Sequence, residues 1–191
     1  IKLNTLLFFS DNMLEENIEM TKQRFFALCL IILLPLAKIN AFSVVFQVFQ
    51  NDRNSDLILE TTQLLSQGLL DSFFDFGCVA CDAPASVFSS EQQSQELVEK
   101  VLVESAESFM DYLVVIRIDY EREKLQNPEA AQLAGIKNIS WKAIEVLQNE
   151  VAGEGSMKPS LSKGKNKAEN IREVSRFATA MAKEIKKGLN K

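Results

Sequence analysis

The stretch SVVFQVFQ, residues 43–50, constrains the fold most, because it carries apolar side chains on both faces of an extended chain. Its apolar residues are Val44, Phe46 and Val48 on one face and Val45 and Phe49 on the other. A strand that is apolar on both faces is typical of the interior of a sheet. The sequence therefore predicts a sheet with a buried strand close to residue 43.

The next pattern predicts a helix that ends at Gly77, a residue that readily takes the left-handed conformation of a helix stop. Ser55 or Asp56 is expected to cap its start, because a short oxygen-bearing side chain accepts hydrogen bonds from the free amides of a first turn. Spacings of seven, four, four and three separate the residues of the apolar stripe, which are Ile58, Leu65, Leu69, Phe73 and Phe76.

Two further amphipathic patterns predict two more helices. Ser90 and Gln93 fit a capping box at the start of the second helix. Its inward-facing residues are expected to be Leu97, Val98, Val101, Leu102, Ser105 and Phe109. The third helix is expected over residues 168–189, with a basic C-terminal end that suits the helix dipole. Its apolar stripe consists of Ile171, Val174, Ala178, Met181 and Ile185.

Four more strands complete the predicted sheet. They are a short strand at residues 78–82 that ends at Ala83-Pro84, a strand at 112–120, and a hairpin of strands 139–146 and 150–157 with its turn near Gln148-Asn149. A short helical turn is expected before the hairpin, with Asn127 as cap, Pro128 in the first position and Gly135 at the end. The predicted fold is α/β, a single mixed sheet of about five strands with three main helices in the order β-α-β-α-β-β-β-α.

The segment at residues 20–41 predicts a secretory signal-peptide helix in front of this domain. Lys22 and Arg24 precede a run of 13 largely apolar residues, 25–37, and cleavage is expected after Ala41. Residues 1–19 are interpreted as an upstream or non-native segment, and residues 42–191 as a single exported domain, periplasmic or secreted. The alternative is an N-terminal membrane anchor, although a transmembrane helix needs about 20 apolar residues.

Charge is distributed unevenly along the predicted domain. Residues 42–157 carry 7 Lys and Arg against 19 Asp and Glu, a net charge of −12, whereas residues 158–191 carry 10 against 3, a net charge of +7. The basic C-terminal segment is interpreted as a helix whose charges are solvated or rest on the acidic body. Peripheral contact with a membrane surface is the alternative, and export argues against a nucleic-acid partner.

The chain contains no histidine, which removes the usual base of Ser-His-Asp and Cys-His mechanisms. Cys78 and Cys81 are the two cysteines of the domain. They are expected on opposite faces of a strand, since side chains alternate there. A thiol-disulfide oxidoreductase site or a structural disulfide at this pair remains an alternative. Carboxylate chemistry is another, and its candidate residues are Asp71, Asp75 and Asp82.

Four stretches, VVFQVFQN, LSQGLLDSFFDFGCVACD, DYLVVIRID and ISWKAIEVLQNEVAGEG, carry a resemblance to small exported α/β modules of bacterial envelopes. The chain resembles the periplasmic domain of the curli secretion protein CsgG, the N-terminal domain of TolB and the outer-membrane activators of penicillin-binding proteins. The resemblance covers nearly all of residues 42–191. It implies a binding or assembly module that works by protein contacts.

The functional hypothesis is therefore a non-enzymatic cell-envelope protein that binds a protein partner and uses no metal or cofactor. Its candidate partner surface consists of Lys183, Lys186, Lys187 and Trp141. The sequence leaves the oligomeric state open.

Overall fold

The computed structural model describes residues 42–51, 58–88, 90–121, 132–159 and 166–189 of the 191-residue chain. The elements are β1 (Ser43–Asn51), α1 (Glu60–Asp75), β2 (Val79–Val87), α2 (Glu91–Glu107), β3 (Tyr112–Tyr120), β4 (Ile136–Glu145), β5 (Glu150–Met157) and α3 (Lys167–Leu189), with a short 3-10 turn at Leu133–Gly135 before β4. This order confirms the predicted fold class.

The five strands form one mixed sheet in the order β2-β1-β3-β4-β5. Strands β2, β1 and β3 are parallel to one another, and β4 and β5 continue the sheet as antiparallel neighbours. The predicted interior position of β1 is confirmed, because β1 lies between β2 and β3. The chain leaves β1 towards one side for β2 and then crosses to the other side for β3. Crossovers of one hand that run in opposite directions place their helices on opposite faces of a sheet.

The two faces of the sheet are covered unequally. Helices α1 and α3 pack together on one face, here called the α1–α3 face, and α2 alone packs on the other, the α2 face. The fully buried side chains of the α1–α3 face include Phe46, Leu65, Leu69, Phe73, Ile116, Ile118, Met181 and Ile185. The buried apolar residues of the α2 face are Val45, Phe49, Val101, Leu113, Val115, Ile144 and Val146.

Strand β2 runs beyond the predicted stop at Ala83-Pro84 and ends at Val87. Proline is tolerated because β2 is an edge strand and because the pairing shifts there: Gln47 is opposite Ala83, whereas Phe49 is opposite Ser86. The Gln47 side-chain amide donates a hydrogen bond of 3.2 Å to the Pro84 carbonyl. The extra residue of this bulge is therefore accommodated without ending the strand.

The start of α1 differs from the prediction. Leu59 occupies the N-cap position with no side-chain cap bond, and the predicted caps Ser55 and Asp56 lie outside the described residues. Gln50, a buried residue near the end of β1, supplies the missing acceptor. Its Oε1 accepts hydrogen bonds from the Leu59 amide, at 2.9 Å, and the Thr62 hydroxyl, at 2.8 Å. The predicted stop is confirmed, because Gly77 follows the helix with a φ of 76°.

At α2, the structure confirms the cap and corrects the last residue of the stripe. The Ser90 hydroxyl accepts a hydrogen bond from the Gln93 amide at 3.2 Å. Phe109 does not face the core, because the helix ends at Glu107 and Phe109 turns outward with a φ of 56°. The backbone reverses there so that β3 can start at Tyr112.

The predicted hairpin and third helix are both present. Strand β4 begins three residues earlier than predicted, β5 has the predicted bounds, and Asn149 in the turn has a φ of 52°. Asparagine tolerates this left-handed conformation better than most residues. Residues 1–41 lie outside the described residues, as do Asn127 and Pro128 of the predicted helical turn. None of the described helices is long and apolar enough to cross a membrane.

Candidate functional site

An open groove of about 880 Å³ lies on the α2 face of the sheet. In the part of the chain that the structure describes, α2 packs over β1 and β3, and no helix lies above β4 and β5 on this side. The residues that line it are Glu91, Gln95, Val98 and Glu99 of α2, Val115 and Arg117 of β3, Ser140, Trp141, Lys142 and Ile144 of β4, and Glu154, Gly155 and Ser156 of β5. Four elements thus form one surface.

Helix α2 forms one side of the groove, and strands β3, β4 and β5 form its floor. An ion pair between Glu91 of α2 and Arg117 of β3 joins the two. The guanidinium donates two hydrogen bonds to the carboxylate, at 2.7 and 2.8 Å, in a bidentate arrangement. The Arg117 guanidinium also lies 5.8 Å from the centroid of the Phe88 ring. The hydrogen bond from Arg117 lowers the pKa of Glu91; burial opposes this shift, and the positive charge of Arg117 adds a smaller lowering. The first residue of α2 is thereby tied to β3.

The floor over β4 and β5 mixes charges of both signs with small polar side chains. Lys142 is paired in register with Glu154, and Ser140 with Ser156. Opposite charges that face each other across an antiparallel pair attract, and they remain available to solvent on an open face. Ile144 and Val115 place an apolar margin beside these groups. A molecule bound on this open surface would keep much of its own surface in contact with water, whereas pockets for small molecules bury most of their ligand.

The two cysteines are free and differ in exposure. Cys78 is buried just before β2, and Cys81 is exposed on that strand. Burial raises the pKa of Cys78, with Lys186 and a backbone hydrogen bond from Phe42 opposing the rise. Although Cys81 is exposed as a residue, its thiol is partly shielded from water, and this shielding raises its pKa. The neighbouring Asp82 carboxylate raises it further. A catalytic thiol needs a lowered pKa, so this environment is unlike that of a redox nucleophile.

The carboxylates considered for acid-base chemistry bind separate partners. Asp71 accepts a hydrogen bond from Gln67 at 2.8 Å, on its own helix. Asp82 on β2 accepts one from Ser66 at 3.2 Å. Among the described residues, no group of three or more acidic, cysteine or histidine side chains is placed to hold a metal ion. Asp71 and Asp82 are thus bound to different neighbours, and the role of the three carboxylates stays a prediction.

The four residues of the predicted partner surface have different surroundings. Lys183 and Lys187 are exposed on α3, and Lys186 lies over the Phe76 ring, 4.7 Å from its centroid, while its amine donates to the Phe76 carbonyl. Trp141 is buried, although it is among the residues that line the groove, and its role in a partner surface stays a prediction. Two ring carbons and the indole nitrogen would lie within 2.9 Å of a Cβ at Gly155, so the absence of a side chain there leaves room for the ring.

A buried polar cluster at the carboxyl ends of β1 and β3 was not anticipated from the sequence. The Thr62 hydroxyl lies 2.8 Å from Gln50 and 2.9 Å from the Tyr120 hydroxyl, and Asn51 donates to Asp119 at 2.9 Å. In open α/β sheets ligands bind where the strand order reverses, as it does between β1 and β3. Here the side chains form two separate sets: Gln50, Thr62 and Tyr120 join the two strands to the start of α1, whereas Asn51 and Asp119 bond to each other across the strands.

Sequence reasoning also missed the groove itself. The stretch YLVVIRIDY of β3 places Arg117 between two isoleucines, and this polar residue within an apolar strand was the one available signal. The remaining lining residues come from α2, β4 and β5, which are adjacent only in the folded sheet. Their polarity is that of ordinary solvated positions. A linear pattern does not distinguish such positions from a binding surface.

A family model described as "Uncharacterised protein" matches residues 43–190, so the chain belongs to that family. No curated protein matches the chain. Solved structures with a similar arrangement include a PelC dodecamer from Paraburkholderia phytofirmans, at 12% identity and a TM-score of 0.39 over 78% of this chain and 86% of that one. Protein XCC0632 from Xanthomonas campestris, of the DUF330 family model, shares 12% identity at a TM-score of 0.40, over 76% of this chain and 81% of that one.

TolB from Acinetobacter baumannii is also similar, at 10% identity and a TM-score of 0.39, over 78% of this chain and 28% of TolB. The predicted resemblance to TolB thus has a structural counterpart, although a weak one. The resemblances to CsgG and to the activators of penicillin-binding proteins stay predictions. Likenesses at this level describe a coarse agreement of fold and carry no argument about function.

Proposed function

We propose that this chain is a non-enzymatic interaction module of the cell envelope, which binds a protein partner in the groove on its α2 face. The observation that carries the proposal is the unequal covering of the sheet. Among the described helices, two cover one face, whereas a single helix lies on the other and leaves β4 and β5 open beside it.

The dimensions of the open strip favour a helical partner segment. Neighbouring strands lie about 4.8 Å apart, so two strands present a strip roughly 10 Å wide. Packed helices stand about 8–10 Å from their neighbours, which is the same width. A partner helix beside α2 would give this face the same two-helix cover that α1 and α3 give the other.

The charged side chains of the groove floor determine which side chains a partner helix would need. Lys142 favours an acidic side chain opposite it, and Glu154 favours a basic one. Since the floor is polar and tolerates water, the free protein stays soluble at this face and the partner is free to leave. We therefore expect a reversible, salt-sensitive complex rather than a permanent subunit interface.

Export rests on the segment at residues 20–41 and belongs to the proposal. The signal peptide would deliver residues 42–191 to the periplasm or the exterior, and retention of the apolar run 25–37 would instead leave an N-terminal anchor. Both outcomes place the domain in the envelope. The thiol-disulfide alternative has less support, because the surroundings of Cys78 and Cys81 raise both pKa values.

Cross-linked capture from the envelope of the host tests the proposal. The decisive variant exchanges the groove charges, Lys142→Glu with Glu154→Lys, which keeps the net charge and the cross-strand pair and so preserves the fold. The matched control exchanges Arg172→Glu with Glu173→Lys on α3. We expect the groove exchange to abolish capture of a partner that the parent and the control retain. Capture that survives the groove exchange but not the control exchange would contradict the proposal.

A further inference from the structure

Large apolar side chains are strongly exposed at one end of the sheet. The described residues with such side chains are Phe74, Val79, Val103, Phe109, Leu147 and Val151. All except Val103 lie at the end where β1, β2 and β3 begin. Val79 starts β2 opposite Ser43, Phe74 precedes the end of α1, and Val151 follows the turn between β4 and β5.

Two of these side chains, Phe109 and Leu147, project from turns and are here called the amino-end tips. Phe109 is 91% exposed and Leu147 is 83% exposed. The Val146 amide donates to the Asp111 carbonyl at 2.9 Å, which brings the two turns together. From the chain lengths involved, the Cα atoms of the tips lie within about 16 Å of each other.

The backbone at Phe109 is unusual for a residue of this type. Its φ of 56° is in the left-handed region, where glycine is the usual residue at the end of a helix. A bulky residue in that region is strained. Since the ring is almost fully exposed, packing within the domain does not compensate for this strain. The exposed ring of Phe109 therefore makes little contact within the domain that could offset the backbone strain. A contact with another molecule would bury it.

The chain enters the domain at the same end of the sheet as the amino-end tips. Phe42 precedes β1, and the apolar run 25–37 ends five residues earlier. Five residues span at most about 18 Å. A bilayer that takes up this run, during export or as an anchor, is therefore close to the end of the sheet that carries the tips.

Contact with a second copy is less suited to the tips than contact with lipid. An aromatic side chain buries roughly 150–250 Å². The area that Phe109 and Leu147 could bury together therefore falls short of the roughly 800 Å² per partner that a stable protein interface needs. Insertion into a bilayer surface has no such requirement, because each apolar side chain is stabilised independently by leaving water.

Charge at this end does not select anionic lipid. The basic side chains of the last turns of α3 are Lys183, Lys186 and Lys187, and the acidic side chains at this end are Asp75, Glu107, Asp111, Glu145, Glu150 and Glu184. The acidic groups outnumber the basic ones, which does not favour anionic lipid. The tips themselves are uncharged, so binding should depend little on salt.

We propose that Phe109 and Leu147 insert into the surface of a zwitterionic lipid bilayer and so hold the amino end of the sheet against the membrane. The surface is separate from the groove, which lies beside α2 and over β4 and β5. It also differs from membrane contact through the basic C-terminal segment, which would require anionic lipid.

Tryptophan fluorescence in the full chain tests this inference, with vesicles of phosphatidylcholine that carries brominated acyl chains. Trp141 is the single tryptophan and is buried, so it gives the baseline emission. The variants Phe109→Trp and Leu147→Trp each place a second tryptophan at one of the tips, so its emission measures contact of that tip with lipid. Lys137→Trp is the matched control, because this exposed residue lies near the start of β4, at the opposite end of the sheet.

We expect brominated vesicles to reduce the emission of both tip variants, relative to unbrominated vesicles, and to leave the Lys137→Trp control at the parent level. The reduction should persist in high salt. Equal quenching of tips and control, or no quenching beyond that of the parent, would overturn the inference. A blue shift of tip emission that grows with protein concentration without vesicles would instead assign the tips to a second copy.

Discussion

The indole ring of Trp141 lies between two glycines, Gly155 on β5 and Gly188 on α3. A Cβ at Gly155 would lie 2.8 Å from the indole nitrogen, and a Cβ at Gly188 would lie 2.7 Å from a ring carbon. Real side chains essentially never approach so closely, and both contacts are with a rigid ring that is itself buried. The absence of side chains at these glycines therefore lets α3 and the β4–β5 hairpin close around Trp141.

Gly155→Ala should destabilise the domain by about 1–3 kcal/mol, the usual cost of overpacking. Urea denaturation gives the free energy of unfolding, with Ser156→Ala as the exposed neighbouring control. In a Trp141→Phe background the same substitution should cost less, because the smaller ring leaves room. Equal costs in both backgrounds would contradict the packing role assigned to Trp141.

The thiol of Cys81 should react slowly at neutral pH, because burial and Asp82 raise its pKa. Alkylation of Cys81, followed by peptide mass spectrometry across pH, should give a midpoint above that of the denatured chain. Asp82→Asn removes a negative charge and should move the midpoint down. A folded-state midpoint below about 7.5 would instead support a redox role for the cysteine pair.

At the scale of elements, the Glu91–Arg117 pair fixes the start of α2 on β3. The folded pKa of Glu91 is lowered, so the pair contributes stability above the unfolded pKa of about 4.3, and this contribution is lost as pH falls through the folded pKa. The side chain of Arg117 is 33% exposed and that of Glu91 is 58% exposed. Because water screens an exposed ion pair, the contribution of this pair is at most about 1 kcal/mol.

Glu91→Gln should therefore lower the free energy of unfolding at pH 7 and have little effect well below pH 4. Denaturant titrations at several pH values measure this difference. Glu99→Gln, on the same helix, is the matched control and should show no comparable pH dependence. A Glu91→Gln effect that is the same at pH 3 and pH 7 would show that the ion pair is not its source.

Helix α3 is an integral element of the domain. Its inward residues Val174, Met181 and Ile185 are buried at the centre of the α1–α3 face. Each such side chain stabilises the fold by roughly 1.5–3 kcal/mol. Deletion of α3 would thus unfold the domain rather than expose the role of its lysines, and charge exchanges on the intact helix are the appropriate variants.

Sequence periodicity predicted the elements well where one face of each is buried, as the stripes of α1 and α3 illustrate. It failed where tertiary context decides. Pro84 stays within β2 because that strand is at an edge, and Gln50 caps α1 from another element. Phe109 continues the spacing of α2 but follows its last turn.

For the whole molecule, the mixed sheet followed from the order of the predicted elements, whereas the groove did not. It depends on which strands α2 covers, and that follows from the reversal of strand order around β1. The groove and the amino-end tips are then two separate surfaces. We propose a reversible protein partner for the first and contact with lipid for the second.

The most direct test of the central claim is site-specific photo-cross-linking in the envelope of the host. A photoreactive residue replaces Lys142 or Ser156 in the groove and, as the control, Arg172 on the exposed side of α3. We predict that the two groove positions cross-link to the same protein partner and that the control position does not. Cross-links to a partner from Arg172, with none from either groove position, would contradict the assignment of the groove as the binding surface.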